Sequence, residues 1–134
     1  MKNKYLCPHC KGHLEIEENI VVSAKTNKGS VGLIFLSPCL GNFTVVKHPN
    51  FQYDKGDEVE MYCPICSHNL HEKSHDGNFA RIIMIDKNEL RFDILFSRIA
   101  GEKCTYKISN EKVERFGDTD SYLVMPSGII TSRI

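Results

Sequence analysis

This chain has no excess of charge of either sign: its 17 basic residues are matched by 17 acidic ones across 134 positions. A chain without net positive charge is not drawn as a whole to DNA, RNA or an anionic membrane. No apolar run approaches about 18 residues, so no membrane-spanning helix is expected. The start, Met1-Lys-Asn-Lys-Tyr-Leu-Cys7, carries charge but lacks the apolar core of about 7–15 residues that a secretory signal needs. There is no tryptophan and no low-complexity segment. The signatures G-x-S-x-G, G-x-G-x-x-G, H-E-x-x-H and the P-loop are all missing, which removes the common hydrolase, dinucleotide, metalloprotease and nucleotide-phosphate readings. What remains is an ordinary composition, 41% hydrophobic and 25% charged, neither disordered nor fibrous. Its length suits one domain, or two small ones sharing a core.

Against that plain background one phrase occurs twice. Cys7-Pro8-His9-Cys10-Lys11-Gly12-His13-Leu14 and Cys63-Pro64-Ile65-Cys66-Ser67-His68-Asn69-Leu70 both read C-P-x-C-x-x-x-L. A C-x-x-C pair puts two sulfurs on the same side of a tight turn, and the proline fixes φ just after the first cysteine. The turn then leaves backbone N–H groups free to point at the sulfurs and support them as thiolates. Two such pairs supply four thiolates, which fill the tetrahedral shell of Zn²⁺ and leave no position for water or substrate. Cys7, Cys10, Cys63 and Cys66 are therefore the expected ligands of one structural zinc. Lys2, Lys4 and Lys11 stand near the first turn, where they offset part of the negative charge of such a site. Redox use of either pair would need a helix after it in a βαβ setting, and neither copy has one.

These turns resemble the knuckles of a zinc ribbon, in which two β-hairpin tips clasp one zinc. The match covers residues 4–16 and 58–72, and the chain as a whole is similar to short bacterial zinc-ribbon proteins with a second C-P-x-C near mid-chain. The resemblance implies a metal but no activity. Rubredoxins use similar turns for iron, but there a glycine normally follows the second cysteine, and Lys11 and Ser67 stand in those places here. Zinc is thus expected over iron. Fifty-two residues separate Cys10 from Cys63, so the ribbon must carry an insert with structure of its own.

The remaining pattern is β-rich. Alternation over Leu14–Glu18 and 58–62, with a β-branched run at 20–24 and the most apolar stretch of the insert at 31–36 about the turn 26–30, gives strands entering and leaving the knuckles and a hairpin inside the insert. Another strand is expected at 43–47. His75-Asp-Gly-Asn78 reads as a boundary. It divides residues 1–75, the ribbon with its insert, from a β-rich region at 76–134 that packs on the first as one unit. In that second region strands are expected at 79–85, 90–96, 104–108 and 122–125. A short helix is expected over Asn110–Phe116, capped by Ser109 or Asn110, with Val113 and Phe116 on one face and Gly117 as its stop. The fold class is mostly β with a small α content.

Other residue groups invite functional readings. His68, His71 and His75 would share a helix face and hold a second metal if that polar stretch were helical. His13-Leu-Glu15 has the H-x-E of zinc deaminases, but their P-C-x-x-C is absent, since Pro64 follows Cys63. Cys39 and His48 are the pair from which a Cys–His nucleophile could be drawn, although Cys39 reads as a loop thiol and Cys104 as a small core residue. Lys25, Lys28, Lys47, His48, Phe51 and Tyr53 mix basic and aromatic side chains in the manner of single-strand binders. The sequence thus points to a cytoplasmic, non-catalytic zinc module meeting a protein partner or its own copy, with no membrane association. A nucleic-acid-binding ribbon is the alternative, and an enzyme with a purely structural zinc the third reading.

Overall fold

The computed structural model describes residues 3–72, 78–110 and 112–117, and the backbone of 122–125 and 128–131. The described residues contain no helix, and none is long and apolar enough to cross a membrane. The strands are β1 (Lys4–Leu6), β2 (Glu15–Ile16), β3 (Asn19–Thr26), β4 (Val31–Leu36), β5 (Val45–Lys47), β6 (Val59–Tyr62), β7 (Phe79–Ile85), β8 (Arg91–Ser97), β9 (Thr105–Ile108), β10 (Val113–Phe116), β11 (Tyr122–Met125) and β12 (Gly128–Thr131).

Two antiparallel sheets form the body of the protein. The first runs β1-β7-β8-β9-β10; the second runs β2-β3-β4-β5, with β6 also paired to β3. The expected insert hairpin is β3–β4, closed by the turn in which the Thr26 N–H donates to Ser30 O and the Gly29 N–H to Thr26 O. β3 is the hub of its sheet: β4 lies along one side, while β2 takes its first residues and β6 its last on the other. The run Ile-Val-Val at 20–22 suits this place because β-branched side chains pack well on a pleated surface buried on both faces.

Period-two alternation assigns the faces. Ile20, Val22 and Ala24 of β3, Val59 and Met61 of β6, Ala80, Ile82 and Met84 of β7 and Ile94 of β8 belong to one buried cluster between the sheets, with Tyr5, Leu14, Phe51 and Leu70. Phe79, Leu95, Cys104, Tyr106 and Ile108 form a second cluster on the opposite face of the first sheet. Burying side chains on both sheets is worth roughly 1.5–3 kcal/mol for each large apolar group.

The helix expected over Asn110–Phe116 is instead a strand. β10 pairs antiparallel with β9, from Val113 opposite Ile108 to Phe116 opposite Thr105, and the Ser109 N–H donates to Lys112 O at the turn. Val113 and Phe116 suit either state locally. The free edge of β9 offers a ladder that decides for strand. The boundary expected at His75–Asn78 lies outside the described residues but for Asn78.

Candidate metal centre

Each C-P-x-C phrase sits at a corner between the sheets. The chain enters the first corner on β1, which pairs with β7 in one sheet, and leaves it on β2, which pairs with β3 in the other. It enters the second on β6, paired with β3, and leaves past Leu70 and His71, which meet β7 through Arg81 N–H to Leu70 O and a bridge between His71 and Ala80. The two corners are therefore traversed in opposite directions, and strands of both sheets bring their tips together.

The corners are copies of one another down to single hydrogen bonds. The Cys7 N–H donates to Gly12 O and the Lys11 N–H to Cys7 O; the Cys63 N–H donates to His68 O and the Ser67 N–H to Cys63 O. Leu6 bridges His13 as Tyr62 bridges Asn69. The Leu14 N–H donates to Tyr5 O and the Leu70 N–H to Met61 O, and both leucines are buried. The downstream leucine of the repeated phrase is thus the anchor that fixes each tip to the core. Lys11 and Ser67 take equivalent left-handed conformations, with φ of 62° and 65°.

At the tips the four sulfurs of Cys7, Cys10, Cys63 and Cys66 all lie within 4.8 Å of one another. The Cys7–Cys66 and Cys10–Cys63 separations are each 3.8 Å. Bonds of about 2.3 Å from a tetrahedral metal to sulfur place neighbouring sulfurs about 3.8 Å apart, whereas a disulfide would bring them to about 2.05 Å. The spacing fits four ligands of one ion, and all four cysteines are free thiols. Among the described residues these four make the one group of three or more His, Cys, Asp or Glu side chains that could hold a metal.

Backbone donors are aimed at the sulfurs. Cys7 Sγ accepts from the His9 and Cys10 N–H groups at 3.3 and 3.4 Å, and Cys63 Sγ from Ile65 and Cys66 at the same distances. Cys10 Sγ accepts from Gly12 at 3.3 Å. Such donors favour thiolate over thiol. Burial opposes them at the two inner sulfurs: it pushes the Cys7 thiol up and the Cys63 thiol up to about 12. Cys10 is exposed, and the Gly12 N–H holds it below the ordinary thiol value. Two buried sulfurs that keep their protons, with donors already pointing at them, suit an incoming cation that replaces those protons.

The tips also interlock, which sequence reading did not foresee. His9 stacks on His68, and a Cβ placed on Gly12 would lie 2.5 Å from Ile65 Cδ1. His9 and Ile65 each hold the third place of the phrase, and Gly12 and His68 each hold the sixth. Each tip thus presses its third residue on the sixth of the other. The signal was available in the repeat, because matched offsets in two copies are what a two-fold arrangement requires.

The other candidate residues go elsewhere. His68 lies in the stacked pair and His71 in a β-bridge, so the described part of the histidine run is not helical; His75 lies outside the described residues. His13 pairs with Glu15, whose carboxyl is held low because the Tyr5 N–H and the His13 ring outweigh burial. Among the described residues no hydrogen bond joins Cys39 to His48, whose Nδ1 accepts from the Asn50 N–H. Cys39 is an exposed loop thiol and Cys104 is buried in the second cluster. Of the basic and aromatic set, Phe51 is buried, Lys47 Nζ donates to Phe51 O and lies over the Tyr53 ring, and Lys28 pairs with Asp54 and Asp57.

Comparison of the chain with protein-family models, curated proteins and solved structures finds no match in any of the three.

Proposed function

We propose that this protein is a non-catalytic module built on one structural Zn²⁺ held by Cys7, Cys10, Cys63 and Cys66, and that it acts through contact with a protein partner or a second copy of itself. The convergence of four sulfurs at tetrahedral spacing carries this reading. Four thiolates saturate zinc, so the ion ties the two sheets together and has no place for substrate. Four reduced thiols of this kind persist in a reducing cytoplasm.

The outer face of the second sheet supports the contact half of the reading. Val31 and Leu33 on β4 are 68% and 48% exposed, Val46 on β5 is 57% and Ile16 on β2 is 62%. Alternation puts Val31 and Leu33 on the same face as Phe35, and Phe35 is paired with Val46. Contiguous apolar surface of this kind marks contact sites. The test is to compare the unaltered chain with Leu33→Glu/Val46→Glu in sedimentation and in capture from the native cell, with zinc measured on the same samples. A self-association or captured protein lost in the variant, at one zinc per chain in both, is the expected result. Identical behaviour of the two chains, or a monomer that captures nothing, would overturn the contact half.

A further inference from the structure

A cavity of about 180 Å³ lies between the sheets, away from the cysteine cluster. Ile34, Leu36, Met61, Ile82, Ile94 and Phe96 give it apolar walls, and its rim is formed by the loop 37–44 and the turn 99–104. Arg98 is the exception in that lining. It lies one residue past the end of β8, lines the cavity and is 2% exposed. A fully buried arginine is rare unless its donors are paired.

Only part of this guanidinium is paired. Nη2 donates to Glu58 Oε1 at 3.2 Å and lies 3.8 Å from Glu60 Oε1. Among the described residues, Nε and Nη1 are buried without an acceptor. Each such donor costs roughly 1–3 kcal/mol if left unmet. No polar group among the described residues meets these two donors, and Ser97 Oγ on the lining donates instead to Glu102 Oε1.

We propose that the cavity binds a small uncharged molecule that joins a hydrocarbon body to a carbonyl oxygen, an aryl or alkyl amide or ketone, with the oxygen accepting from Arg98. The charge balance selects an uncharged ligand. Glu58 and Glu60 already outnumber Arg98, and a ligand carboxylate would place a third negative charge around one guanidinium. The volume sets the size. A cavity of about 150 Å³ accommodates benzene, so roughly six to ten non-hydrogen atoms fit here. The site makes no use of the cysteine cluster and stands whether or not that cluster holds zinc.

The test is an NMR titration of the full chain with benzamide, benzoate and toluene, which share a shape and differ in charge and acceptor. The Arg98 Nε–H resonance is the readout. Benzamide should shift that resonance saturably and bind roughly ten-fold or more tightly than toluene or benzoate, since a hydrogen bond to a charged donor is at stake. Arg98→Met should erase the preference for benzamide over toluene while toluene still binds. If that variant does not fold, the Arg98 resonance of the unaltered chain decides alone. An Arg98 signal unmoved by benzamide, equal affinity for toluene, or tighter binding of benzoate would each overturn the proposal.

Discussion

His9 lies flat on His68, with ring centroids 4.0 Å apart and planes within 4° of parallel. The two rings come from different turns, separated by more than fifty residues of chain, and their contact holds the tips in register over the sulfur cluster. Stacked aromatic pairs are worth about 0.5–1.5 kcal/mol beyond buried area, and both histidines are exposed, which puts this pair at the low end. A double-mutant cycle with His9→Ala and His68→Ala, followed by denaturant unfolding, should give a coupling of about 0.5 kcal/mol. The metal content should not change. A coupling of zero would show that the stack follows from the turns and adds nothing to them.

Ser67 gives a second expectation. Its φ of 65° is left-handed, as is that of Lys11 at the matching place. A side chain there costs roughly 1–2 kcal/mol, part of which glycine recovers before its own entropy cost is counted. Ser67→Gly should therefore stabilise the protein by roughly 0.5–1 kcal/mol in thermal or chemical unfolding. Destabilisation would mean that the serine side chain supports the turn in a way its geometry does not reveal.

Gly32 on β4 predicts the opposite sign. A Cβ there would stand 2.9 Å from both Cβ and Cγ of Phe51, the near end of a buried ring with little freedom to move. Gly32→Ala should destabilise by about 1–3 kcal/mol through overpacking. In a double-mutant cycle with Phe51→Ala, which removes Cγ and the ring, the two losses should sum to less than additive, and strictly additive effects would contradict the contact.

The pH dependence of the metal-free chain follows from Cys63. Burial raises this thiol from its ordinary value of 9.0 up to about 12. The buried neutral thiol favours the folded state fully below pH 9 and loses that advantage as pH rises toward 12, where the unfolded chain gains by ionising first. Metal-free protein should lose stability across that window, and Cys63→Ala should reduce the loss without abolishing it, because burial raises the Cys7 thiol as well. In a metal-bound chain the thiolate is already formed, so zinc uptake should release protons and weaken as pH falls.

Much of this architecture is written locally. The repeated phrase declares both turns because proline, paired sulfurs and the core leucine each have a short-range physical job. The largely apolar runs at 79–85 and 90–96 declare strands for the same reason. Residues 110–116 mislead because Val113 and Phe116 satisfy a helical spacing, while the edge of β9 that claims them is invisible in the sequence. The corners between sheets are equally hidden, since which sheet β1 or β6 joins depends on partners far along the chain. Arg98 is hidden too, because a charged residue next to Ile99-Ala100-Gly101 looks like an ordinary solvated loop.

The proposed function requires both cysteine pairs to bind the same ion. X-ray absorption at the zinc edge of the purified full chain, with metal content measured alongside, tests it most directly. The account predicts one zinc per chain with four sulfur neighbours at about 2.3 Å, and loss of that ion in Cys10→Ser/Cys66→Ser. Two sulfurs with nitrogen or oxygen making up the shell, or two metals per chain, would contradict it.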